Sequence, residues 1–329
     1  MGWAAPMVIR RVVFFAAFAG AVLCGWGAAA ADLAFVINSN DASVSLIDVG
    51  THQEIKRIPL LREPHHMALT PDHRSMVIGD TAGNAIFFLD PRTGAVQRQL
   101  TISDPYQIQF SPNGRYFTVA GLARNQIDIY DAVTFALLHR IAARSMPSHM
   151  NYAPDSSVVF VSLQGTDRLI AIETGSGRVL WNSRVGRTPA GVLWNRGHLL
   201  VGLMGEAHFA VVDPVDGHVE RMIPTGRGAH TMFLTHDGKL IYATNRVDGT
   251  LSVIDPVSLS VIRTLRLPGG PDDLDFAPDG KIWAALRFAQ SVGILDPVTG
   301  SVERIPVGRS PHGIWLNTHD GFPQAVTAR

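Results

Sequence analysis

The chain has 329 residues, 46% of them hydrophobic and 17% charged, with 31 Gly and 20 Pro. That length allows one large domain or two ordinary ones, and the composition excludes a disordered or low-complexity chain. Basic and acidic residues number 28 each, so no basic surplus argues for a nucleic-acid partner.

In chain order, residues 1–31 come first and read as a secretory signal peptide. Arg10 and Arg11 form a positive start with no acid nearby, 12–23 form an apolar core, and Ala28 to Ala31 offer a small-residue cleavage site before Asp32. The apolar run is too short for a bilayer span. The expectation is an exported chain, periplasmic or secreted, with no membrane span after cleavage and with the export route, general or twin-arginine, left open. The only cysteine, Cys24, lies in this segment. The mature chain is therefore expected to lack disulfides, cysteine nucleophiles, thiolate metal ligands and c-type haem attachment.

From residue 32 to 329 one unit recurs. Aligned on the start of its first apolar run, the anchors are His66, Gln107, His149, Gly191, His230, Asp273 and Gly313, spaced 41, 42, 42, 39, 43 and 40 residues apart. A tight turn follows each first run, as in Thr70-Pro71-Asp72, Ser111-Pro112-Asn113-Gly114 and Ala277-Pro278-Asp279-Gly280. Pro sets φ for such a turn, and Asn/Asp-Gly supplies its positive-φ position. A second run is rich in β-formers, such as Leu240-Ile241-Tyr242-Ala243-Thr244. A third ends in an acid-centred turn such as Asp90-Pro91-Arg92-Thr93-Gly94. A fourth alternates apolar and polar residues, clearest in Val261-Ile262-Arg263-Thr264-Leu265, which predicts a half-exposed outer strand.

Four strands per unit at a period near 40 predict an all-β, seven-bladed propeller with four antiparallel strands per blade. The two ends decide closure. Leu33 to Asn38 read as a second strand with no first strand before it, and Gly313-Ile314-Trp315-Leu316 as a first strand with no partner after it. The C-terminal strand is therefore expected to pair with the N-terminal ones and close the ring.

The units Pro278-Asp279-Gly280-Lys281, Tyr242-Ala243-Thr244-Asn245, Thr250-Leu251-Ser252-Val253-Ile254-Asp255 and Pro306-Val307-Gly308 resemble the YVTN-type (YncE-like) β-propeller repeat. The resemblance covers nearly all of 32–329. It extends more loosely to the cytochrome d1-type haem propeller and to propeller lactonases. It implies a fold and leaves function open, since propellers host unrelated activities.

Function is sought where the units differ. In such a ring the anchors and the residues before them converge on one mouth of the central channel. They read His65-His66, Tyr106-Gln107, Ser148-His149, Ala190-Gly191, Ala229-His230, Asp272-Asp273 and His312-Gly313. The repeat demands no histidine, yet five fall here. His65, His66, His149, His230 and His312 are candidate ligands for a transition metal. His66, His149 and His230 share one slot of the alignment in alternate blades. The competing reading is a hydrated polar channel whose histidines bond backbone and water. The loops leading into the first strands carry Arg187, Arg227 and Arg309, and those after the second strands carry Arg246 and Arg287. With Tyr106, Gln107, Asp272 and Asp273 they form a candidate ligand site, the arginines suiting carboxylate or phosphate or a carboxylated tetrapyrrole. Against this stands solvated surface pairing of each arginine.

The sequence therefore predicts an exported, monomeric propeller whose channel mouth binds a metal, a haem-type group or a small anionic ligand, or a protein partner. Two alternatives stay open. One is an enzyme on the same site, either a metal-dependent lactonase-like hydrolase or a haem or copper oxidoreductase. The other is an interaction scaffold without small-molecule chemistry.

Overall fold

The computed structural model describes residues 1–3 and 32–318, so the expected signal core and cleavage site fall outside the described residues. Among the described residues no helix is long and apolar enough to cross a membrane. Residues from 32 onward form seven four-stranded antiparallel sheets. Six blades are contiguous in sequence, their inner strands being Pro64–Leu69, Gln107–Phe110, Pro147–Tyr152, Pro189–Asn195, Ala229–Leu234 and Pro271–Phe276. The seventh takes its inner strand, Pro311–Asn317, from the C-terminal side. Its other three strands are Leu33–Asn38, Ser43–Asp48 and Gln53–Pro59. Leu33 pairs with Asn317 and Phe35 with Trp315, whose rings lie 5.6 Å apart. The ring is closed as the strand count predicts.

The local chemistry matches the architecture. Second strands such as Ile241–Asn245 and Ile282–Leu286 are buried at every residue, because each packs against a neighbouring blade on both faces. The core is accordingly a set of clusters between blades, one of which joins Phe35, Ile37 and Leu46 to Met76, Ile78 and Phe87. The acid-centred turns are Asx turns: Asp90, Asp131, Asp213, Asp255 and Asp296 each accept the N–H two residues on.

The outer strands differ from the expected alternation. In Val261–Arg266 only Leu265 is buried. Val253 pairs with Arg263 and Ile254 with Val261, so Ile262 is the extra residue of a bulge and faces solvent. Ile55, Leu138 and Leu180 occupy the same position in three other blades and are exposed for the same reason.

A second bulge, at the start of the inner strands, positions the site. Pro64 pairs with Asp80 and Met67 with Ile78, leaving His65-His66 opposite one residue. The equivalent pairs are Ser148-His149, Ala190-Gly191, His230-Thr231, Asp272-Asp273 and His312-Gly313. In the second blade Gln107 pairs with Ala120, with Tyr106 just before it. The fifth blade corrects the sequence alignment. Ala229 pairs with Asn245 and Met232 with Ala243, so Thr231 holds the slot of His66 and His149. His230 sits in the preceding slot, with His65, Asp272 and His312. The uneven spacings of 39 and 43 are the trace of this one-residue slip, and anchoring on Thr231 makes them 40 and 42.

Candidate functional site

The bulges turn the first-slot side chains onto the propeller axis. His65 stacks on Tyr106 and also meets His312, with ring centroids 3.9 Å apart in both cases. His66 lies 4.7 Å from His312 and 5.2 Å from His149, which lies 4.9 Å from His230. All five imidazoles are buried. Close packing of the fourth and fifth blades holds His230 in place: a Cβ on Gly202 would fall 2.2 Å from the His230 carbonyl oxygen.

Hydrogen bonds set the tautomers of two rings. His66 donates its Nδ1–H to the Tyr106 carbonyl at 2.7 Å. His230 donates its Nδ1–H to Asp272 Oδ1 at 2.9 Å. His149 Nδ1 lies 3.2 Å from Ser148 Oγ. Ser148 in turn contacts Ser162 Oγ at 3.0 Å, and Ser162 donates to the His149 carbonyl. That chain holds the His149 ring in place through Nδ1. His149 Nε2, His230 Nε2 and both nitrogens of His312 are buried without a hydrogen-bond partner. Burial pushes His66 down to about 3 and His230 down to about 4, and holds His65, His149 and His312 well below the usual imidazole range. The cluster is neutral at pH 7.

One carboxylate anchors it. Asp272 is fully buried and bonds Arg246 through Oδ1 and Arg287 through Oδ2, the latter at 3.0 Å. Burial pushes its carboxyl up, but Arg246, His230 and Arg287 outweigh that and hold it well below the carboxylate range. Its neighbour behaves oppositely. Burial, then the charge on Asp272, push Asp273 up to about 8. Burial also pushes the Tyr106 hydroxyl up to about 12.

The arginines divide into two groups. Arg246 and Arg287 are 16% and 26% exposed and reach inward to Asp272. Arg187, Arg227 and Arg309 are 68%, 71% and 65% exposed, and pair with Glu206, Asp248 and Asp41. Those acids also accept the backbone N–H of the same arginines, which pins each leading loop. The five do not form one ring.

Beyond the first slot the axis is open. Two adjoining cavities of about 190 and 230 Å³ share His66, Gln107, Asn151, Phe233 and Asp273. The second runs on past Leu193, Asp275 and Phe276 to His236, an exposed turn residue on the far face. The open end of the channel is thus on the turn face, away from the arginines. Gln109, Asn151 and Asp275 line it and were not singled out from the sequence. Their signal was there: each is a polar residue two places after its anchor, inside an apolar run.

Two axial groups bring ligand atoms within 4.8 Å of one another: His65, His66 and His312, and His230, Asp272 and Asp273. His66, His149 and His230, aligned in the sequence, are not such a group. Both Asp272 oxygens are taken by arginine, which leaves the three-histidine group the better fitted to a metal. Its buried nitrogens without partners suit a cation, and the backbone bond at His66 Nδ1 leaves Nε2 to coordinate. A haem-type group does not fit there, because rings stacked at 3.9 Å leave no slot for a macrocycle.

A sequence profile described as YNCE-like beta-propeller matches residues 6–322. The chain belongs to that family. A search of curated proteins returns no match. Solved structures similar to this YNCE-like propeller include three. The first is dihydro-heme d1 dehydrogenase NirN in complex with DHE, at 16% identity and TM-score 0.65, covering 88% of this chain and 76% of that one. The second is a functionally unknown protein from Desulfotomaculum acetoxidans, at 11% identity and TM-score 0.74, covering 87% and 98%. The third is Kuenenia stuttgartiensis hydrazine synthase, at 17% identity and TM-score 0.65, covering 83% and 92%. At such identities the likeness is one of fold.

Proposed function

We propose that this YNCE-like propeller is an exported protein that binds a transition-metal ion on its axis, through His65, His66 and His312. The observation that carries the reading is that His65, His66 and His312 bring ligand nitrogens within 4.8 Å of one another, with both nitrogens of His312 buried and unpartnered. A buried polar atom left unpaired costs ~1–3 kcal/mol, and a cluster of them is stable only if something else repays it. Neutral imidazoles suit Zn, Cu, Fe or Ni. Three histidine ligands with an open position would supply Lewis-acid or redox chemistry. Export is supported by the charged start at Arg10 and Arg11 and the short apolar stretch after it.

A second reading, an enzyme on the same site, is favoured by Asp273. Its proton is held to about pH 8 beside an open channel, which suits a group that donates or accepts a proton near neutrality.

The test is metal analysis of protein purified from its native compartment, followed by titration of the stripped chain with Zn, Cu and Ni. Stoichiometric metal, with affinity lost in the His65→Ala/His66→Ala/His312→Ala variant, is expected. A metal-free protein with no saturable binding, or binding indifferent to the three substitutions, removes the reading.

A further inference from the structure

The axial channel adjoins the histidine group at His66 but has further chemistry of its own. No lysine or arginine is among the residues lining either cavity. Acceptors dominate instead. Gln107 Oε1 and Gln109 Oε1 are buried there without a partner, as is His149 Nε2, on a residue only 2% exposed. Asp273 adds a carboxyl group, with Thr231 Oγ1 at 3.5 Å and His312 Nδ1 at 4.0 Å as its near neighbours. Asp275 adds a carboxylate nearer the open end, whose oxygens accept the N–H groups of Phe276 and Leu316 at 2.8 Å. Toward the turn face the walls become apolar, with Leu193, Phe233, Phe276 and Ile314.

We infer that this channel is a binding site for a small organic cation, an ammonium group on a short apolar stem, that enters from the turn face. Several unpaired acceptors with no cation among them leave the ligand to supply both the N–H donors and the charge. An anion would meet the Asp275 carboxylate and no guanidinium. Phe233 and Phe276 offer ring faces to the stem or to the positive head. The cavities of about 190 and 230 Å³ each hold the volume of roughly six to eight waters at ~30 Å³ apiece, so the ligand has only a handful of heavy atoms. The expected charge is opposite to that suggested by the arginines, because those lie on the other face or are held by Asp272.

Calorimetric titration of the full chain, dialysed against EDTA, tests this with n-butylammonium, n-butanol, butyrate and potassium as separate probes. Saturable binding of n-butylammonium is expected, at least about tenfold tighter than n-butanol, since a hydrogen bond to a charged group is worth that much. Asp275→Asn should weaken it about tenfold, and Gln109→Leu, which leaves the charges alone, by a smaller factor. Melting curves check that each variant is folded, and Gln109→Leu carries the test if Asp275→Asn is not. Absence of n-butylammonium binding, equal binding of n-butanol, preference for butyrate, competition by potassium at equal concentration, or an affinity unchanged in both variants would overturn the assignment. Because the titration uses chelated protein, the metal reading can fail while this one stands, and the reverse.

Discussion

His230 Nδ1 lies 2.9 Å from Asp272 Oδ1, with both side chains out of solvent. The two residues come from inner strands of neighbouring blades, 42 positions apart in sequence. The bond orients one imidazole of the cluster and ties the cluster to the two inward arginines.

Removing that carboxylate should cost more than the hydrogen bonds it makes. Asp272→Asn leaves Arg246 and Arg287 partly buried without a counter-charge. Breaking one side of a buried ion pair costs ~3–5 kcal/mol. Urea denaturation of the variant should show a loss of that order. A loss under ~1 kcal/mol would mean that the arginines turn out to solvent.

Stability should peak near pH 7. The histidines have folded values well below their unfolded 6.5, so unfolding takes up protons as the pH falls below about 6.5. In that range stability falls as the solution is acidified. Asp273 and Asp275, raised to about 8 and about 6, act in the opposite sense, since folding holds their protons above the usual carboxylate range. Five buried imidazoles outweigh the two carboxyls up to about pH 7, and Asp273 outweighs them between about 7 and 8. Thermal melts from pH 4.5 to 8.5 should rise steeply and then decline gently. A flat profile below pH 6.5 would show that the histidines are hydrated and titrate normally.

Gly202→Ala should disturb the fifth-blade bulge. Its Cβ would press on the His230 carbonyl, a backbone atom with little freedom to yield. Overpacking of this kind costs ~1–3 kcal/mol. Gly238→Ala, at a turn glycine with φ +68° whose Cβ would meet nothing within 4 Å, carries a positive-φ penalty and no clash, the reverse of Gly202→Ala. Chemical denaturation of the pair separates the two effects.

Truncation before Pro311 should remove far more stability than an ordinary terminal trim. It strips the inner strand from the seventh blade and opens an edge at Leu33–Asn38. A chain ending after Thr318 should melt like the full chain. One ending at Ser310 should lose a large share of the ~5–15 kcal/mol typical of a folded domain. Equal melting temperatures for the two would argue against closure.

Much was legible in the sequence because its signals are local. The period near 40, the Asp-Pro and Asp-Gly turns and the runs of β-formers specify blades, and counting strands at the two ends specifies how the ring closes. The presence of His65, His66, His149, His230 and His312 at the inner-strand starts was readable for the same reason. The tertiary structure decided which of them meet and what they meet. A bulge places two residues opposite one, so the slot of His230 depends on ladder pairs at Ala229 and Met232 rather than on spacing. Charge was equally beyond the sequence. Arg246 and Arg227 look alike as loop arginines, but one reaches a buried Asp272 and the other an exposed partner at the rim, and only packing between blades separates them.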